Sequence, residues 1–213
     1  MNIKTTDSKR YNSLRAAIQM ATAHYIVGPF HYCHNHLSIT GRENVPQSGP
    51  FLAVSNHISA YDPSIVVISV DKPMGFIAKK ELFEIPWLSP LISLLGAIEI
   101  NREKPSVSSI RTIKQAFAAG WAVGIFIEGT RNKTPGILGQ PHTGAAYFAW
   151  SNKVKILPVG ILNTNEPGGK AVVHIGKLME PTGDLEHTTW EIMQAISDLT
   201  GFKLPEHRLI QNK

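Results

Sequence analysis

The chain is expected to fold as an α/β domain: a mostly parallel mixed sheet covered by helices, with a short N-terminal helical segment in front of it. Three observations carry that reading. PFLAVSN (50–56), WAVGIFIEG (121–129) and VKILPVGIL (154–162) are nearly continuous apolar runs, the pattern of strands buried on both faces. Helical patterns alternate with such runs along the chain. The 213 residues suffice for one sizeable core, and no repeat, low-complexity tract or internal linker divides them.

In chain order, residues 8–35 read as two short helices broken at Gly28-Pro29, with Arg10 and Arg15 placed to touch lipid head groups. LSIT (37–40) is a short strand and ENVPQSG a loop. PFLAVSN is a buried strand running into SNHISAYDPS (55–64). There Asp62-Pro63 reads as a helix start, with Asp as N-cap and Pro at the first helical position. MGFIAKK (74–80) is the next strand. In IPWLSPLISLLGAI (85–98), Leu88, Leu91, Ile92 and Leu95 follow helical spacing and Trp87 stands at one end. That segment is either a buried core helix or a piece dipping into one membrane leaflet. GAIEINR (96–102) is a core strand. PSVSSIRTIKQAFAAG (105–120) is a helix with Ile110, Ile113 and Phe117 on one face, ended by Gly120. After the strand at 121–129 come a long loop, TRNKTPGILGQPHTG, and a short helix, AAYFAWS. Strands at 154–162 and 170–177 follow, and a helix from Thr188 to Thr200 closes at Gly201.

The net charge of +5 favours anionic partners such as phosphates or an acidic lipid surface. A nucleic-acid role is not expected, because the chain lacks a basic helix or an aromatic stacking motif. Cys33 is the only cysteine, so no internal disulfide forms and a reducing compartment is the natural reading. No secretory signal is expected, and no run reaches the ~20 apolar residues needed to cross a bilayer. HYCHNH (31–36), with His24 upstream, contains His31, Cys33, His34 and His36, all metal-ligating types. Their spacing matches no closed zinc pattern, so no metal is expected and these side chains read as interfacial.

The chemistry is concentrated around His57 and Asp62. Five residues at ~100° each would put them about 140° apart on a helix, so they meet only if the chain turns between them. A strand, a turn and a helix start supply that turn. Asp62 then either caps a helix beside an incidental His, or holds His57 as a general base. No G-x-S-x-G nucleophile elbow is present, so such a base would activate a substrate hydroxyl directly. FIEGTRNKT places Glu128, Gly129, Thr130 and Arg131 at a second strand end, IEINRE places Arg102 at a third, and Lys79 and Lys80 follow another. Together they suggest a basic rim suited to phosphate oxygens.

NHISAYD, GAIEINR, FIEGTR and ILPVGI occur in order, and across residues 37–180 the chain resembles the glycerolipid acyltransferase family. The resemblance implies His57 as catalytic base and Asp62 as its orienting carboxylate, with Asn56 in the same block on the substrate side. It implies that Arg102, Glu128, Gly129, Thr130 and Arg131 bind the acceptor's phosphate and that Pro158 shapes the acyl-donor side. The implied reaction moves a fatty acyl group from acyl-CoA or acyl carrier protein to the free hydroxyl of 1-acylglycerol-3-phosphate, giving phosphatidic acid, with no cofactor. Glycerol 3-phosphate or another lysolipid as acceptor, and a non-catalytic lipid-binding protein, are the rival readings. The resemblance also implies a membrane-associated protein, peripheral or monotopic, on the cytoplasmic face. Residues 1–36 would be its membrane-contact segment and residues 37–213 its catalytic domain. Two departures stand out: Ile127 replaces a proline common in the third block, and His142 in PHTG replaces a frequent lysine.

Overall fold

The structure is a computed structural model and describes residues 11–100, 107–166 and 168–206. The apolar runs become strands: β1 (Ser38–Thr40), β2 (Phe51–Ser55), β3 (Met74–Lys79), β4 (Ile98–Ile100), β5 (Ala122–Phe126), β6 (Lys155–Leu162) and β7 (Val172–Ile175). Among the described residues they form one sheet in the order β1-β7-β6-β2-β5-β3-β4. β2 to β6 run parallel, and β7 returns antiparallel to β6 with β1 parallel to it. The expected mostly parallel mixed sheet is therefore observed.

The helices are α1 (Ser13–Thr22), α2 (Gly28–His34), α3 (Asp62–Val70), α4 (Leu88–Leu94), α5 (Val107–Ala118), α6 (Gly144–Asn152) and α7 (Leu185–Thr200). Alternate side chains of β2 feed two cores. Leu52 and Val54 join Ile113 and Phe117 of α5, Phe148 of α6, and Ile192 and Met193 of α7. Phe51 and Ala53 join Ile65, Val66 and Ile68 of α3 on the other face. Each such fully buried aliphatic or aromatic side chain contributes about 1.5–3 kcal/mol, so both faces must be covered for the strands to be stable.

Three expectations about local structure are corrected. The chain does not break at Gly28-Pro29. A π-helical turn, Ala23–Val27, carries α1 into α2, and the Gly28 N–H donates to the Ala23 carbonyl five residues back. Lengthening the turn by one residue absorbs the N–H that Pro29 lacks. Only a glycine fits there, since a Cβ on residue 28 would lie 2.7 Å from the Ala23 oxygen.

Asp62 is not an N-cap. It is the first residue of α3, the cap position is Tyr61 without a side-chain bond, and the Asp62 carboxylate turns back onto the preceding loop. The segment 85–98 is not a buried core helix either. No residue of α4 is buried, Trp87 is 73% exposed, and Leu91 and Leu94 are also exposed.

The N-terminal helices are fastened to the sheet. The Gln19 amide donates to the Met74 and Leu95 carbonyls and accepts from the Met74 N–H. Arg15, expected at lipid head groups, donates to the Ser93 carbonyl; Arg10 lies outside the described residues. His31, expected to be interfacial, is buried. Its Nε2 lies 3.0 Å from the Ser64 hydroxyl and its Nδ1 2.8 Å from the Asn35 amide.

Candidate active site

Because β2 to β6 are parallel, their carboxyl ends share one edge of the sheet, where open α/β sheets bind ligands. His57 leaves the end of β2, Lys79 ends β3, Glu128 to Arg131 follow β5, and Thr164 follows β6.

His57 and Asp62 meet across the bend. Nδ1 of His57 lies 2.8 Å from Oδ2 of Asp62. The same Oδ2 accepts the backbone N–H groups of Ile58 (2.7 Å) and Ser59 (2.8 Å), and Oδ1 accepts the Thr164 hydroxyl at 2.5 Å. Asp62 is fully buried. A buried carboxylate is tolerated only when its oxygens are satisfied, and these four donors do that. The bond to Asp62 puts the ring proton on Nδ1 and leaves Nε2, without a protein partner among the described residues, to accept a proton. This is the tautomer a general base requires. The imidazole also lies flat on Phe126, ring centroids 3.8 Å apart and planes 9° apart. Phe126 stacks in turn on Phe76. Gly124 makes room for that column, since a Cβ there would fall 2.5 Å from the Phe76 ring.

His57 lines a cavity of about 550 Å³ that runs between the sheet edge, α1 and α4. Its walls are mostly apolar, including Ala23, Val27, Val67, Ile77, Leu88 and Ile92; Lys79, Thr130 and Arg131 contribute polar groups. Such a volume is typical of a small-molecule site. A mostly apolar wall that also carries a base and two cationic side chains suits an amphiphile with an anionic head.

The expected site residues divide into two groups. His57, Thr130 and Arg131 line the cavity, and Asp62 stands directly behind His57. Asn56 and Glu128 do not line it. The buried Asn56 amide donates to the Ile161 carbonyl and accepts the Ile161 N–H, both at 2.8 Å, so it ties the end of β2 to β6 rather than facing a substrate. Glu128, also buried, accepts the His57 N–H on Oε1 (3.0 Å) and the Gly139 N–H on Oε2 (2.6 Å). A phosphate would be repelled by this carboxylate, so its role is to anchor backbone. Burial pushes the Glu128 carboxyl above the usual range, and the hydrogen bonds from His57 and Gly139 partly offset that.

Gly129 closes the turn after β5 through its N–H to the Phe126 carbonyl. Pro158 is buried in β6 opposite Val54, outside the cavity wall. Arg102 lies outside the described residues. Phe126 and Thr164 were missed by sequence reasoning. FIEGTR itself begins with Phe126, but nothing local marks it as a ring support. Thr164 meets Asp62 across 102 positions and leaves no short-range signal.

A base held by a carboxylate beside a mostly apolar cavity is equipped for proton abstraction during group transfer. Comparison with known proteins points the same way. The Acyltransferase family model matches residues 36–162. A 1-acyl-sn-glycerol-3-phosphate acyltransferase from Borreliella burgdorferi is 33% identical over 130 residues, 60% of this chain and 51% of that protein. One from Bacillus subtilis is 27% identical over 152 residues, 71% of this chain and 74% of that protein. The chain spans about half the length of the Borreliella relative, and 38% of a chloroplast relative from Arabidopsis thaliana. The crystal structure of a 1-acyl-sn-glycerophosphate acyltransferase from Thermotoga maritima has the same fold, with a TM-score of 0.63 over 87% of this chain and 96% of that one at 19% identity. The chain belongs to the acyltransferase family.

Proposed function

We propose that the protein transfers a fatty acyl group from an acyl thioester, on coenzyme A or acyl carrier protein, to the free hydroxyl of 1-acylglycerol-3-phosphate. The observation that carries this reading is His57, backed by Asp62, facing a hydrocarbon-lined cavity with Arg131 and Lys79 on its wall. The relatives named above carry the same activity in their names.

His57 Nε2 takes the proton of the acceptor hydroxyl as its oxygen attacks the thioester carbonyl carbon. A C–O bond forms, and Asp62 steadies the imidazolium. The tetrahedral intermediate then collapses, the C–S bond breaks, and the imidazolium returns its proton to the departing thiolate. The guanidinium of Arg131 matches the acceptor's phosphate, and the apolar wall holds an acyl chain.

The same proposal has the reaction occur at a membrane surface. Tyr25, Ile26, Phe30 and Tyr32 on the N-terminal helices, and Leu82, Trp87, Leu91 and Leu94 around α4, are exposed. Tyr25 and Ile26, and the group around α4, stand on segments whose other side chains line the cavity, which supports a lipid-facing side close to the site. Among the described residues no helix is long and apolar enough to span a bilayer.

The test is an acceptor screen with radiolabelled acyl donor: 1-acylglycerol-3-phosphate, glycerol 3-phosphate and other lysolipids, each with wild type and His57→Ala. Labelled phosphatidic acid is expected from the wild type alone. Product from His57→Ala, or preference for a different acceptor, overturns the base or the substrate respectively.

A further inference from the structure

Thr164 is not used by the chemistry above, and it does not line the cavity. It lies two residues beyond β6, is 5% exposed, and reaches Asp62 Oδ1 with its hydroxyl at 2.5 Å. An ionised carboxylate has no proton to give, so the hydroxyl donates. The donors on Asp62 are unevenly shared. Oδ2 takes His57 Nδ1 and two backbone N–H groups, whereas Oδ1 takes Thr164 alone among the described residues. Without that hydroxyl a fully buried anionic oxygen would have no donor, and one fewer bond would fix the plane of the carboxylate.

Thr164 is itself held in place. Three residues upstream, Ile161 is gripped at both its N–H and its carbonyl by Asn56. The loop beyond β6 is closed by Asn163, whose amide donates to the Lys170 carbonyl. The chain therefore spends a buried side-chain clamp and a closed loop on delivering one hydroxyl to the rear of the carboxylate.

We propose that Thr164 is a positioning residue: it holds the Asp62 carboxylate in the orientation from which Oδ2 fixes the His57 tautomer and steadies the imidazolium formed during acyl transfer. This rests on the reading that His57 is the base. Thr164 acts through Asp62 and touches neither substrate.

The experiment compares wild type, Thr164→Val, Thr164→Ser and His57→Ala, using 1-acylglycerol-3-phosphate in mixed vesicles with radiolabelled palmitoyl-CoA, and thermal melting of each. Valine keeps the shape without the hydroxyl; serine keeps the hydroxyl without the methyl. Losing a hydrogen bond to a buried charge should lower kcat about tenfold or more in Thr164→Val, with KM for both substrates within about twofold. Thr164→Ser should recover kcat to within about threefold of wild type. If Thr164→Val does not fold, Thr164→Cys, of similar size and a weak donor, replaces it with the same expected loss. Wild-type kcat in the hydroxyl-free variant, a serine variant as slow as the valine one, or a change confined to KM would each overturn the proposal. Those results leave His57→Ala inactive, so the base assignment survives them. An active His57→Ala, or an inactive wild type, overturns the functional reading and takes this proposal with it.

Discussion

The His57 imidazole lies face to face with the Phe126 ring, centroids 3.8 Å apart and planes 9° apart. Asp62 fixes one edge of the imidazole and Phe126 fixes its plane. Phe126→Leu keeps most of the apolar volume and should cost about 1.5 kcal/mol of stability or less. It removes an aromatic contact of about 0.5–1.5 kcal/mol, so kcat should fall roughly two- to tenfold if the ring's plane matters to proton transfer. Steady-state kinetics beside a melting curve separates the two effects, and an unchanged kcat would make Phe126 ordinary packing.

Arg131 lies on the cavity wall with Thr130. Arg131→Ala should lower kcat/KM for a phosphate-bearing acceptor by about 10- to 100-fold, mostly through KM. Arg131→Lys should restore only part, because an ammonium lacks the planar fork of donors. Equal loss with an acceptor lacking phosphate would show that the guanidinium serves something else.

Trp87 and Leu91 are exposed on and beside α4. The double variant Trp87→Ser/Leu91→Ser should leave the melting temperature nearly unchanged, since neither side chain is buried. Burying either in lipid is worth about 1.5–3 kcal/mol, so vesicle binding in a flotation assay should drop at least about tenfold. Undiminished flotation would move the contact to another surface.

His31 is buried with both ring nitrogens bonded, and burial lowers its pKa from the ordinary value of 6.5. The unfolded chain therefore binds a proton more readily than the folded one. The sign follows: this contribution to stability is present above pH 6.5 and is lost as pH falls from there through the lowered folded value. His31→Gln should flatten the acid side of a plot of stability against pH, measured by urea unfolding between about pH 5 and 8. A parallel pair of curves would contradict it.

Much of the fold was legible because its signals are local. Strands such as β2 and β6 are apolar on both faces, and the glycines at 120 and 201 end helices where expected. Strand order was not legible, because β2 pairs with β5 and β6 through residues 71 to 104 positions away. The bend joining His57 to Asp62 was readable, since a buried strand ran into a helix start. Its details were not: Asp-Pro-Ser reads as a cap, yet the carboxylate faces backward because His57, Ile58 and Ser59 present donors there. Asn56 and Glu128 were expected to face the substrate but bind backbone instead. Polar residue type reveals that a buried group needs partners, not which strand or loop will supply them.

Glu128 has one oxygen on the His57 amide and the other on the Gly139 amide. Arg131 lies on the stretch of chain between Glu128 and Gly139. On the proposed function, the base and the cation for the head group thus stand on backbone held by one and the same side chain. On that reading, an acceptor whose hydroxyl and phosphate are spaced otherwise would fail to engage both at once, and this acidic side chain would gauge the acceptor without touching it.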